Sequence, residues 1–241
     1  MRIAIFSDVH GNKEALTSII EDINKENIDE IICLGDSIGI GPNPSECMDM
    51  IIDNNVKMVL GNHELYFLKG TDIDARLGED EKEHQKWIKE QITNRQREYI
   101  EKCPLTLERE YDDKKVLFEH FPVEHNSKDQ YPFYDLEIAK DGSIKEIIES
   151  LDYDLVFIGH EHKNFCIDNE LYDIGSVGCT NDNITKYGIL DTDTFIVQQK
   201  RIEYDRDKFE SVLLSYKYPC RDVIAQWFFG LEIGKDIQKT K

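Results

Sequence analysis

The chain has 241 residues, 40% of them hydrophobic and 10% aromatic, with 29 basic against 49 acidic side chains for a formal charge of −20. That apolar content excludes a disordered chain and can fill a substantial core. The charge argues against a long nucleic acid or an anionic membrane surface as main partner, because both would be repelled.

The opening "MRIAIFSDVHGN" enters a strand pattern at once and leaves no room for a cleavable signal, and residues 2–7 read as a buried strand. Asn12 caps a helical pattern that places Ala15, Leu16, Ile19, Ile20 and Ile23 on one face. Residues 30–34 read as a second strand, "GDSIGIGPNPSE" as a loop, residues 44–54 as a helix and 56–60 as a third strand. This strand–helix–strand rhythm predicts parallel pairing. Residues 79–102 carry Trp87, Ile88, Ile92, Tyr99 and Ile100 at helical spacing and read as one or two surface helices, a cap-like insertion in which His84 is a solvated position. Strands follow at 106–111, 115–119, 155–158, 165–168, 170–174, 187–191 and 194–201, with a helix at 143–151 between them. The tail over 205–231 reads as helical and broken near Pro219, its "WFFGL" packing on the sheet or, if exposed, making a dimer contact. No apolar run approaches the ~18 residues of a membrane span. The six cysteines are scattered with no Cys-x-x-Cys, as in a reducing compartment. The expectation is one cytoplasmic domain over 1–241.

Chemistry gathers where apolar strands end. "FSDVHGN" carries Asp8 and His10, "CLGDSIG" carries Asp36, "VLGNHEL" carries Asn62, His63 and Glu64, "VLFEHFP" carries His120, and "FIGHEHK" carries His160 and His162. The carboxyl ends of neighbouring parallel strands converge on one cleft, where ligands bind. Carboxylate, imidazole and amide oxygen without thiolate suit Mn²⁺, Fe or Zn²⁺. Any one histidine reads most simply as a hydrogen-bonded loop residue. Five of the seven, however, follow apolar strands, and only His84 and His125 do not. On an extended backbone His160 and His162 would share a side.

The order D-x-H, G-D, G-N-H-E, a lone His and G-H-x-H, running from Asp8 to His162, resembles the calcineurin-like metallophosphoesterases. "GPNP" and the turn "DIGSVG" (173–178) are similar to features of small bacterial phosphodiesterase-like members. The resemblance implies an α/β fold, a four-layer α/β/β/α sandwich of two mixed β-sheets packed face to face with helices outside. It implies two divalent transition-metal ions, Mn²⁺ first with Fe or Zn²⁺ as alternatives, about 3.5–4 Å apart. Asp8, His10 and His162 would hold one ion, Asn62, His120 and His160 the other, and Asp36 would bridge them. His63 would assist the leaving oxygen or the phosphoryl charge, and Glu64 would either support a ligand or be a surface charge. Three departures stand out. Phe121 and Pro122 follow His120 where glycine is usual, which makes His125 an alternative ligand; Glu161 stands between the paired histidines; and no arginine follows Asp36.

The implied activity is hydrolysis of a phosphodiester or nucleotide phosphoanhydride by a metal-bridging hydroxide, on a small phosphorylated substrate such as a nucleotide. The alternatives are a dinucleoside polyphosphate hydrolase, a serine/threonine-type phosphatase, which the missing arginine disfavours, and a non-catalytic scaffold. Tyr131, Phe133 and Tyr134 read as a packed loop before a base-stacking wall, and a homo-oligomer stays open.

Overall fold

Elements follow one another in the order β1 (Arg2–Phe6), α1 (Lys13–Ile23), β2 (Glu30–Cys33), α2 (Pro44–Asp53), β3 (Lys57–Met58), α3 (Asn62–Lys69), α4 (Glu79–Gln91) and α5 (Asn94–Ile100). Then come β4 (Thr106–Tyr111), β5 (Lys114–Glu119), α6 (Ser143–Glu149), β6 (Leu155–Ile158), β7 (Phe165–Ile167), β8 (Leu171–Asp173), β9 (Ile184–Asp191), β10 (Ile196–Glu203), α7 (Arg206–Ser215) and α8 (Arg221–Phe229). The structure is a computed structural model and describes residues 1–124, 130–134 and 143–233.

Two mixed five-stranded sheets result, ordered β10-β9-β1-β2-β3 and β4-β5-β6-β8-β7. In the first, β1 pairs parallel with β2 and antiparallel with β9. In the second, β5, β6 and β8 run parallel. Period-two alternation along the buried strands explains the layering. Ile3 and Ile5 of β1, with Ile32, Leu34 and Val59, meet Val116, Phe118, Leu155 and Phe157 of the other sheet in one apolar layer. Ala4 and Phe6 point the other way and lie under the helices with Ala15, Leu16, Ile19 and Ile23. Phe118 and Phe157 stack across neighbouring strands with centroids 5.2 Å apart.

The helices begin where the chemistry predicts. Asn12 caps α1 by accepting from the Ala15 N–H at 3.1 Å, and Pro44 opens α2. Residues 79–102 form two helices, α4 and α5, separated by the Thr93 cap. The tail divides into α7 and α8 on either side of Pro219.

Three expectations need correcting. The third strand is only Lys57–Met58, and α3 rises directly behind it although its apolar residues Leu65, Tyr66 and Phe67 are contiguous and show no helical spacing. His84 is not solvated. It is 4% exposed and lies in an aromatic group with Trp87 and Tyr218, centroids 5.7 and 5.3 Å away. The "WFFGL" helix divides its residues, burying Phe229 while Trp227 stays 79% exposed. Among the described residues no helix is long and apolar enough to cross a membrane.

Candidate metal centre

Five strand-end loops meet at one edge of the sandwich. Backbone bonds zip the Asp8 loop to the Asp36 loop: the Asp8 N–H donates to Gly35 O (3.1 Å), His10 N–H to Asp36 O (2.9 Å) and Gly11 N–H to Ser37 O (3.1 Å). The His160 N–H donates to Asp8 Oδ2 at 3.0 Å, which brings the second sheet's loop to the first. The His63 N–H donates to Asp36 Oδ1 at 2.9 Å.

The candidate donors separate into two groups about Asp36. In one, His10 Nε2 lies 2.9 Å from His162 Nε2, and Asp8 Oδ1 lies 3.7 and 3.4 Å from these nitrogens. In the other, His120 Nε2 lies 3.1 Å from Asn62 Oδ1 and 3.1 Å from His160 Nδ1, which is itself 2.9 Å from Asn62 Oδ1. Asp36 Oδ2 stands between them, 3.8 Å from His10 Nε2 and 3.3 Å from His120 Nε2. His160 and His162 therefore reach opposite groups. Neither is extended: their φ angles are 72° and 53°, and Asp8, His10 and Asp36 share the left-handed region at 55°, 46° and 50°. Left-handed backbone also occurs in ordinary turns such as Asp112–Asp113 and Asp168–Asn169, but five of the residues that adopt it are candidate donors gathered in one cluster. His125 lies outside the described residues.

The side chains fit a cation. The His120 Nδ1–H can only donate to Leu34 O, at 2.8 Å, so neutral His120 presents a lone pair on Nε2 to the oxygens of Asp36 and Asn62. Burial opposes charge on His120, but the Asp36 carboxylate overcomes it and pushes the imidazole up to about 9. His160 moves the other way, down to about 3, through burial and the neighbouring His120 charge. Asp36 is held well below the usual carboxylate range, the surrounding imidazoles, His120 foremost, outweighing its burial. Opposed lone pairs and imidazoles split between charged and neutral mark a cluster in want of positive charge.

His63 and Glu64 differ in role. The His63 ring packs 5.0 Å from His10 and 5.7 Å from Tyr66, and its Nδ1 lies 2.8 Å from Gln85 Nε2 of α4. Burial is the main force taking it down to about 3. Gly39, at φ +89°, leaves the space it occupies, since a Cβ there would stand 2.1 Å from His63 Nδ1. Glu64 is fully buried and not a surface charge. Its Oε2 accepts the N–H groups of Asp36 (2.8 Å) and Gly61 (2.9 Å), and its Oε1 those of Ser37 (2.8 Å) and Ile38 (3.3 Å). It thus ties the Asp36 loop to the start of α3. Burial and the Asp36 charge push it up to about 7 against the pull of those N–H bonds.

Sequence reasoning missed two neighbours. Gln85 stands in a polar, charged helix with nothing to mark it. Cys179, just past the glycine-serine turn, has its sulfur within 4.8 Å of nitrogens of His10 and His162, although the donor set read from sequence lacked a thiol. On the far rim Tyr131 stacks on Tyr66 at 6.1 Å with Arg76 over its face, and Phe133 is buried 5.7 Å from His120.

A profile of the calcineurin-like phosphoesterase superfamily domain matches residues 1–194. An uncharacterized protein of Methanocaldococcus jannaschii is 32% identical over 246 residues, covering 90% of this chain and 93% of the relative. A metallophosphoesterase from Sphaerobacter thermophilus superposes with a TM-score of 0.69 at 23% identity, over 93% of this chain and 98% of that one. A symmetrical bis(5'-nucleosyl)-tetraphosphatase of Actinobacillus pleuropneumoniae is 31% identical over 105 residues, only 38% of this chain and 39% of the relative. The chain belongs to the calcineurin-like phosphoesterase superfamily, and as a member it is a phosphoester hydrolase.

Proposed function

We propose that the chain is a binuclear metal-dependent phosphoesterase that hydrolyses a small phosphodiester or nucleotide phosphoanhydride in the cytoplasm. The observation that carries this reading is the division of seven donors into two groups with Asp36 Oδ2 between them. Asp8, His10 and His162 would hold one divalent transition-metal ion, Asn62, His120 and His160 the other, and Asp36 both, with Mn²⁺ the first ion to assay. Bound there, the pair supplies an activated water and the positive charge that clamps phosphoryl oxygens.

The chain's own residues do the rest. His63 stands outside both donor groups, with Gln85 Nε2 at its Nδ1. With an amide donor at Nδ1, the neutral ring would carry its proton on Nε2 as a hydrogen-bond donor to a charged phosphoryl or departing oxygen. It would act as a proton donor only once substrate charge has raised it to the imidazolium. Glu64 keeps Asp36 in place and so sets the spacing of the two groups. The whole of 1–241 acts as one unit in this reading, with α4 and α5 as a cap that reaches the centre through Gln85.

The tetraphosphatase relative favours a second reading within the same chemistry, a dinucleoside polyphosphate hydrolase. Protein loaded with Mn²⁺ should hydrolyse bis-p-nitrophenyl phosphate or diadenosine tetraphosphate faster than p-nitrophenyl phosphate, and chelator should abolish turnover. His63→Ala should keep two ions and lose at least about 10²-fold in rate. A protein that binds two ions yet hydrolyses none of the three compounds, or one indifferent to chelator, would overturn the proposal.

A further inference from the structure

Cys179 reaches the centre on a turn that is fastened to the Asp8 loop. The Val177 N–H donates to Ser7 O (2.9 Å) and the Gly178 N–H to Asp8 O (2.9 Å). The Ser176 hydroxyl donates to the same Asp8 carbonyl at 2.8 Å and accepts the Cys179 N–H at 2.8 Å. Gly178 makes this closure possible, since a Cβ there would stand 1.9 Å from the Val9 carbonyl oxygen. The thiol is half-buried at the end of this braced turn.

The donors beside it stand close to the spacing an ion needs. Tetrahedral ligands about 2.0–2.3 Å from a metal stand roughly 3.3–3.8 Å from one another. Of the three edges among Asp8 Oδ1, His10 Nε2 and His162 Nε2, those to Asp8, at 3.4 and 3.7 Å, fall in that range, and the 2.9 Å edge between the imidazoles must open by about 0.4 Å around an ion. Asp8 and His10 are buried, and His10 Nδ1 has no hydrogen-bond partner. Cys179 Sγ lies with one nitrogen from each imidazole inside a span of 4.8 Å. Three separate loops thus bring two imidazoles opposed at 2.9 Å, the carboxylate oxygen beside them and a nearby sulfur to the same end of the cleft.

We propose that Cys179 is a sulfur ligand of the first metal position, completing an Asp8–His10–His162–Cys179 donor set. This position then takes a sulfur-binding ion such as Zn²⁺, Fe²⁺ or Co²⁺ in preference to Mn²⁺. The proposal rests on the metal-centre reading above and revises its choice of ion. Thiolates select softer cations, whereas oxygen-rich sites suit Mn²⁺. Ligation releases the thiol proton to solvent. The second position, built from Asp36, Asn62, His120 and His160, has no sulfur within its group.

Cobalt reads this directly. Full-length metal-free protein loaded with two equivalents of Co²⁺ should show a near-ultraviolet sulfur-to-cobalt charge-transfer band. The band should vanish in Cys179→Ser and Cys179→Ala, while metal analysis still finds cobalt at the second position. In wild type, iodoacetamide should label Cys179 in the metal-free protein and spare it after Co²⁺ or Zn²⁺ loading, whereas the exposed Cys166 should label in both. This second measurement needs no variant. Two bound cobalt ions without the band, a band that persists in Cys179→Ala, or equal labelling of Cys179 with and without metal would each overturn the proposal while leaving the binuclear reading intact. Failure of wild type to bind any Co²⁺, Zn²⁺ or Mn²⁺ would overturn both.

Discussion

Replacing Glu64 by glutamine changes one atom in a buried carboxylate that accepts four backbone N–H groups. Each oxygen takes two of them: Oε2 from Asp36 and Gly61, Oε1 from Ser37 and Ile38. Whichever position becomes the amide nitrogen, two N–H donors then face a donor in a site with no access to water. A hydrogen bond to a charged group is worth about 1.5–3 kcal/mol, so the loss is about 3–6 kcal/mol. Domains of ordinary stability hold about 5–15 kcal/mol in total, so the variant should be badly compromised despite its near-identical shape. Urea unfolding of the metal-free protein at pH 8 measures the difference, with Glu98→Gln, a change at an exposed position of α5, as control within about ±0.5 kcal/mol. Metal affinity should fall by about 10–100-fold as the Asp36 loop loosens. A Glu64→Gln protein less than about 1 kcal/mol weaker than wild type would refute the account of Glu64 as the tie between the two loops.

Gly39→Ala adds a methyl 2.1 Å from His63 Nδ1 at a backbone φ of +89°. The imidazole must move, so turnover should fall by at least about 10²-fold with both ions retained; unchanged steady-state kinetics would show that His63 needs no fixed position. Burial depresses the buried His84 to about 4 from 6.5. The native state therefore resists a proton that the unfolded chain accepts, and stability present above pH 6.5 is lost as pH falls toward 4. His84→Phe should remove up to about 3 kcal/mol of that acid-side loss, read from denaturant curves between pH 7 and 4, and an unaltered slope would place the effect elsewhere.

The strand ends bearing Asp8, Asp36, His120 and His160 were legible because a fully buried strand leaves an uninterrupted apolar run, and polar donors at its end stand out against it. Long amphipathic helices such as α1 were legible through their spacing. What escaped depends on partners distant in the chain. Glu64 stays open between ligand support and a surface charge until the Asp36 loop, 27 and 28 residues earlier, folds over it. His84 is buried by Tyr218, which belongs to the tail. The separation of His160 from His162 follows from left-handed backbone that an extended reading of "GHEH" does not contain. Cys179 follows a turn whose contacts with Ser7 and Asp8 span about 170 residues.

Those contacts also bear on how the molecule assembles. Asp8, His10, Asp36 and Asn62 follow strands of one sheet, while His120, His160 and His162 follow strands of the other. Each proposed ion would therefore be a rivet through the seam between two halves made far apart in the chain. Neither half could be loaded before the other had docked, and the cost of closing so long a loop would be met partly by the metal. Ions at a hundred times their dissociation constant would add about 2.7 kcal/mol apiece to the hold of sheet on sheet. Starved of metal, the protein would lose more than a reagent: its two sheets would part more readily, and proteases would find it sooner.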